Sequence, residues 1–361
     1  MPRSPAGRGR PALTGAAHPV RLWIETKGRY DIMDHGLPDD NTVKTALALA
    51  VRAPSVHNTQ PWRWRIGPRS IHLYLDPERA LPFTDPDQRD LVLSCGAALH
   101  HLRIALAALG WSAVVHRLPN PADPTHLASV ELLRHRPTPV EVALSAAISH
   151  RHTDRRHFTS WEIPPGYLSL ATERAAALGA VVCHVSDRSR EHLIEATRAA
   201  AVRHAMDPEY RFELASWSGR HSSADGIPAK STPDPRTDDE LPARTFVAPQ
   251  LIDTAQEPDS AQLLVIGTSG DDRLSRLRAG EAMSAVLLTA TNVGLATCVL
   301  TEPLEIPDLR RDVRIGVFDD NAFPQAIIRI GWAPTSAPPL PATPRRAIED
   351  VLDPFDPSDG R

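Results

Sequence analysis

A chain of 361 residues, 42% of them hydrophobic, holds enough apolar material for one large core or two half-size ones. Its formal net charge of −4 argues against a surface built for phosphate backbones or anionic lipid, so nucleic acid and membrane are not expected partners. Three cysteines, Cys95, Cys183 and Cys298, stand far apart with no C-x-x-C pair; neither a disulfide framework nor a zinc site is indicated, and a reducing, cytoplasmic setting is expected.

Residues 1–36 begin with basic Arg3, Arg8 and Arg10 but lead into no apolar run of a secretory signal. They read as a disordered extension, or as sequence ahead of a true start at Met33. Asp39, Asp40 and Asn41 then cap a helix predicted over Thr42–Arg52, stopped by Ala53 and Pro54. Strands follow at Trp62–Ile66 and Ile71–Leu75 around a Gly67-Pro68 turn. From Asp90 to Leu109 the residues Leu91, Cys95, Leu99, Leu102, Leu106 and Leu109 mark one face of a long helix, closed by Gly110. His100, His101 and Arg103 interrupt its apolar stretch, so it is not read as a bilayer span. Strands near Ser112–Arg117 and Ala128–Arg134 complete a first half, 37–138.

A second half, 139–361, restarts the plan. Val142–Arg151 is a short helix that a shift of 99 positions lays over Val43–Arg52. A shift of 184 places Gly280 on Gly96, Met283 on Leu99, Val286 on Leu102, Ala290 on Leu106 and Gly294 on Gly110 without a gap. An internal duplication, two related α+β halves packed as an intrachain pseudo-dimer, is the expected architecture. A strand near Ala180–Ser186, a helix near Arg190–Met206 and strands at Gln262–Gly267 and Gln325–Trp332 fill the second half. The irregular stretch 218–249, dense in Gly, Ser, Pro and Asp, is long enough to be functional or disordered.

Two clusters carry chemistry. Ala53 to Trp62 reads A-P-S-V-H-N-T-Q-P-W; Pro54 and Pro61 hold it out of helix and strand. Ser55, His57, Asn58, Thr59 and Gln60 offer donors and acceptors that suit a polar heterocycle better than a metal, or else satisfy their own backbone as loop amides do. His150 to His157 reads H-R-H-T-D-R-R-H at a helix end. A metal site is poorly served by its arginines; a solvated charged face is the alternative. An anion site is favoured, because Arg151, His152, Thr153 and Arg155 offer two planar forks, an imidazole and a hydroxyl, each charge-assisted bond contributing about 1.5–3 kcal/mol.

Both clusters resemble segments of the nitroreductase superfamily. P-S-x-x-N-x-Q-P-W, from Pro54 to Trp62, is similar to the stretch those flavoproteins set against flavin mononucleotide, and Arg151–Arg155 to their phosphate-holding R-[RH]-S-x-[RK], with Thr153 for Ser. The resemblance implies an FMN site built from Pro54, Ser55, Asn58, Gln60, Arg151, His152, Thr153 and Arg155. Arg345 and Arg346 match the family's closing basic segment, and Val299 and Thr301 its G-L-x-x-x strand edge after Gly294. Asn58 and Gln60 would meet the pyrimidine edge; an N–H near Thr301 would tune N5.

The motifs occur in swapped order, and the first half carries only Arg52-Ala53-Pro54-Ser55 where its own phosphate motif would stand. One flavin site per chain is therefore implied, in a monomer or weak homodimer. The double-half plan resembles the Acg-type branch, best known from actinobacterial dormancy regulons. It implies hydride transfer from NADPH or NADH through FMN to a nitroaromatic or quinone-like small-molecule acceptor. Two other readings stay open: a flavin-sequestering or sensing protein with 218–249 as a lid, and a scaffold that has lost flavin.

Overall fold

The computed structural model describes residues 36–221, 223–236 and 239–355, so the expected N-terminal extension falls, up to residue 35, outside the described residues. The first described helix, α1 (Asp40–Ala50), starts where Asp39 accepts the backbone N–H of Thr42 at 3.0 Å and its hydroxyl at 2.8 Å. Strands β1 (Trp62–Ile66) and β2 (Ser70–Leu75) pair antiparallel, from Trp62 opposite Leu75 to Ile66 opposite Ile71. The long helix α2 (Arg89–Ala108) leads through Gly110, at φ +90°, into β3 (Trp111–Arg117) and β4 (His126–Arg134). These strands form one sheet in the order β3-β4-β2-β1.

Helix α3 (Pro139–His150) is set by a capping box: the Thr138 hydroxyl accepts the N–H of Glu141, whose carboxylate accepts the N–H of Thr138. It starts three residues before the predicted helix and stops one short of it, because Arg151 already has extended backbone at ψ 123°. Then come α4 (Pro165–Ala176), β5 (Val181–His184), α5 (Asp187–Met206), α6 (Pro208–Trp217), β6 (Gln262–Thr268) and α7 (Arg273–Asn292). The chain closes with β7 (Ala296–Leu300), the single turn α8 (Glu302–Glu305), α9 (Pro307–Phe318), β8 (Phe323–Gly331) and β9 (Leu352–Asp353). A second sheet, ordered β5-β6-β8-β7, is antiparallel throughout. The C-terminal segment crosses back to the first sheet, where β9 adds to β1 in parallel with Leu352 opposite Trp64.

The duplication is written into the contact between α2 and α7. A Cβ added at Gly96 would stand 2.1 Å from the carbonyl oxygen of Leu277 and 3.0 Å from the Cα of Gly280. One added at Gly280 would stand 2.0 Å from the carbonyl oxygen of Leu93 and 2.9 Å from the Cα of Gly96. Leu93 and Leu277 are themselves 184 positions apart, as are His100 and Ser284, whose Nδ1 and Oγ lie 2.9 Å from each other. Residues that touch their own equivalents mark a local two-fold axis, the signature of an isologous contact. The α+β fold is therefore two related halves closed on one another, with a continuous core running through both sheets, α2 and α7. Among the described residues α2 is the one helix long and apolar enough to cross a membrane, and it is buried inside this core.

Candidate functional site

A cavity of about 520 Å³ opens between the halves. One wall comes from the first half, with Pro54 to His57 and the α2 residues Asp90, Leu93 and Ser94; the facing wall comes from Thr153, Arg155, Met283 and Cys298 to Glu302. Residues 239–244 and Phe246 of the irregular stretch line it as well.

The Pro54–Trp62 segment is bent hard to reach this place. His57, Asn58 and Gln60 have φ of 47°, 55° and 52°, a left-handed conformation that costs non-glycine residues energy and persists only where neighbours enforce it. The enforcing bonds are local. Ser55 Oγ accepts the N–H of Gln60 at 3.0 Å, the Thr59 hydroxyl donates to the carbonyl of Val56 at 2.8 Å, and the N–H of Val56 donates to Ser94 Oγ at 3.1 Å.

Of the residues singled out from sequence, Pro54, Ser55, Thr153, Arg155, Val299 and Thr301 line the cavity. Asn58 and Gln60 do not, and their expected reach to a ring edge is corrected by their partners. Asn58 Nδ2 donates to the carbonyls of Gly226 and Pro344, Gln60 Nε2 donates to that of Ala224 at 2.8 Å, and Gln60 Oε1 accepts the N–H of Arg346 at 2.9 Å. Both amides clamp the irregular stretch and the C-terminal arm against the bent segment. Arg346 is also turned away, donating to the carbonyl of Asp350 at 2.7 Å.

Arg151, His152 and Arg345 gather behind the Pro54–Ser55 and Thr153 walls instead of in them. Arg345 donates to the carbonyls of Val51, Arg52 and Ala53 at the end of α1, which brings it to Arg52. Burial, with Arg52 nearby, pushes Arg151 down to about 10, and burial with Arg151 and Arg52 pushes Arg345 down to about 9. His152 is lowered by burial and then by the same three guanidiniums. Arginine keeps its proton at such values, so the depression records mutual repulsion in a dry environment. Among the described residues none of Arg52, Arg151 and Arg345 pairs with a carboxylate, and the buried Nε atoms of Arg52 and Arg151 have no hydrogen-bond partner. Arg345 uses its N–H groups on the carbonyls of Val51, Arg52, Ala53, Thr343 and Pro344, which leaves Arg52 and Arg151 as the crowded cations with orphaned donors.

The opposite end of the cavity is acidic and escaped the sequence reading. Thr301 Oγ1 donates to Glu305 at 2.9 Å, and Arg244, from the irregular stretch, donates to the same carboxylate at 2.5 Å. Arg244 also lies 3.3 Å from His57 Nε2, and His204, stacked on Tyr210, faces Glu302 at 3.2 Å. Burial pushes Glu305 up to about 8 against the pull of Arg244, with Asp90 adding to the rise. Arg155 donates to the carbonyl of Ser231 at 3.1 Å and lies 5.1 Å from the ring centroid of Phe246, so the irregular stretch is pinned at the cavity from both sides. A lone arginine in a Pro- and Asp-rich stretch carries no periodicity or motif that would have marked Arg244. Among the described residues no group of three His, Cys, Asp or Glu side chains is placed to hold a metal ion.

A Mycobacterium tuberculosis protein named "Putative NAD(P)H nitroreductase Rv3131" is 48% identical over 333 residues, covering 91% of this chain and 96% of its own. The chain belongs to the NAD(P)H nitroreductase family. A second member from the same organism, "Putative NAD(P)H nitroreductase acg", is 37% identical over 326 residues, with 86% of this chain and 95% of its own covered. No family profile matches. Among solved structures, a nitroreductase with bound FMN from Bacteroides fragilis is similar at a TM-score of 0.37 and 14% identity, over 56% of this chain and 95% of that one.

Proposed function

We propose that this chain is an FMN-dependent oxidoreductase that passes a hydride from NADPH or NADH to a nitroaromatic or quinone-like acceptor, with one flavin per chain. The observation that carries the proposal is the carboxylate-free cluster of Arg345 with Arg52 and Arg151, the latter two close in the chain to Pro54, Ser55 and Thr153, which line a cavity of about 520 Å³, in a nitroreductase-family chain. The orphaned Nε of buried Arg151 fits a phosphate monoester: a planar fork needs an oxygen partner there, and a dianion relieves the repulsion that depresses both Arg151 and Arg345.

On this reading Arg151, His152 and Thr153 hold the phosphate, Arg345 adds its charge from behind while its N–H groups stay on backbone carbonyls, and the cavity edge from Val299 to Thr301 faces the ring. Bound FMN supplies the hydride-accepting and hydride-returning chemistry. The protein's work is to bind, orient and shield: Arg155 keeps a positive charge at the cavity wall, and residues 239–244 and Phe246 line the cavity. The matching place on the other side of the two-fold axis holds Arg117 bound to Glu281, which supports a single site.

An anaerobic absorbance spectrum of purified protein, before and after NADPH or NADH, tests the proposal. Bound flavin that bleaches with either nicotinamide supports it. Flavin that yields only to dithionite, or protein that takes up no FMN, overturns it.

A further inference from the structure

The cavity holds an acid that the hydride step alone does not use. Asp90, the second residue of α2, lines the cavity and is 5% exposed. Its Oδ2 is buried with no hydrogen-bond partner among the described residues. The cations that face it are engaged elsewhere: Arg89 with Asp271 and Gln325, Arg244 with Glu305, and Arg310 with the carbonyl of Leu304. Thr301, also facing it, gives its hydroxyl proton to Glu305. Burial raises the proton affinity of this carboxyl, against the pull of the Thr301 hydroxyl and of Arg89, Arg244 and Arg310.

Asp85 completes the arrangement. Its two oxygens accept the backbone N–H groups of Arg89 at 2.7 Å and Leu91 at 2.9 Å. Asp85 and Asp90 titrate against each other at the start of α2, and both are raised, first by burial. Asp85 is pushed up to about 8, first by burial and then by the charge of Asp90, so at neutral pH the two groups share one proton, and Asp90 is the member of the pair that lines the cavity.

We propose that Asp90 is the catalytic acid that protonates the acceptor, donating from its carboxyl to the oxygen of a quinone or nitro compound seated in the cavity. The proposal rests on the oxidoreductase reading above, which supplies the hydride from a dihydronicotinamide by way of the flavin. A quinone takes the hydride and one proton: the O–H bond of Asp90 breaks, an O–H bond forms on the acceptor oxygen, and a hydroquinone leaves. A nitro group takes the same hydride and proton, loses water and becomes a nitroso group. Asp90 is left as a carboxylate beside Asp85, and that like-charge pair draws a proton back from water.

The test separates the two half-reactions of FMN-loaded protein by anaerobic stopped flow, in the native chain, Asp90→Asn and Asp90→Glu. In Asp90→Asn the nicotinamide still bleaches the flavin, whereas reoxidation by p-benzoquinone slows about 100- to 10,000-fold and loses its fall at high pH; Asp90→Glu recovers part of the rate. Difference infrared spectra of the flavin-free protein give a readout independent of turnover. At neutral pH the native chain shows carbonyl stretches of protonated carboxyls, and Asp90→Asn loses the component that belongs to the Asp85–Asp90 pair while that of Glu305 remains.

Reoxidation that is unchanged in Asp90→Asn overturns the proposal while leaving the oxidoreductase reading intact. Native flavin that no nicotinamide reduces overturns the reading, and with it the acid role. Where Asp90→Asn fails to fold, the native pH profile and Asp90→Glu decide: a flat profile with no rate difference overturns the proposal.

Discussion

The α2–α7 pair has two sides related by the shift of 184 residues, and they have opposite fates. On one side Asp90 and Thr301 border an open cavity. On the other, Thr301 is replaced by Arg117, and Ala97 of α2 by Glu281 of α7, so Arg117 and Arg103 close on a fully buried carboxylate. Helix α4 packs over this side, with Arg174 donating to Thr289 at 2.9 Å. A duplicated fold begins with two equivalent clefts; here one is sealed by balanced charge and the other keeps unbalanced charge of both signs. Balanced charge stabilises a structure, and unbalanced charge waits for a ligand.

The contrast is broken most strongly by removing cations from each side in turn. Replacing Arg103 and Arg117 together by Met strands Glu281 and is expected to cost about 3–5 kcal/mol in urea unfolding, with FMN uptake retained. Arg151→Met on the open side is expected to do the reverse. Flavin-free protein unfolds at the same or higher urea concentration, because a repelled cation is gone, while FMN binding weakens by about 1.5–3 kcal/mol in a fluorescence titration.

A smaller effect distinguishes the acidic end. Glu305 belongs to α8, and its folded value of about 8 lies above the ordinary 4.5. Between these values the unfolded chain loses this proton while the folded chain keeps it, so the group's contribution to stability falls as pH rises from about 4.5 to 8. Glu305→Gln is expected to flatten that decline in unfolding curves of flavin-free protein.

The axis itself was legible before any coordinates. Gly96 and Gly280, each fourteen residues before a helix-ending glycine, announced the repeat, and they turned out to be the crossing point. Strands β1 and β2 were equally plain, because Trp62, Trp64, Ile71 and Leu73 alternate with polar or half-exposed neighbours, whereas the two-residue β9 was not read. Helices α4, α6 and α9 were not read. Among these, α9 buries only Leu309, Val313 and Val317, a single narrow stripe, and α6 starts at a proline and leaves Phe212 exposed.

At the site, Asn58 and Gln60 have the chemistry to hold a ligand, but their geometry turns that chemistry onto Ala224, Gly226 and Arg346, contacts more than 160 residues away in the chain. Asp90 reads in sequence as a helix-start carboxylate, and only its burial in the cavity wall, coupled to Asp85, gives it a different character.

The central claim is that one side of the axis takes up an anionic flavin and the other is sealed. Its most direct test is a stoichiometric titration of flavin-stripped protein with FMN, followed by flavin fluorescence and repeated with Arg151→Met. One FMN per chain, with affinity lost in the variant, is the predicted result. Two per chain, or one that Arg151→Met leaves undisturbed, would contradict the account.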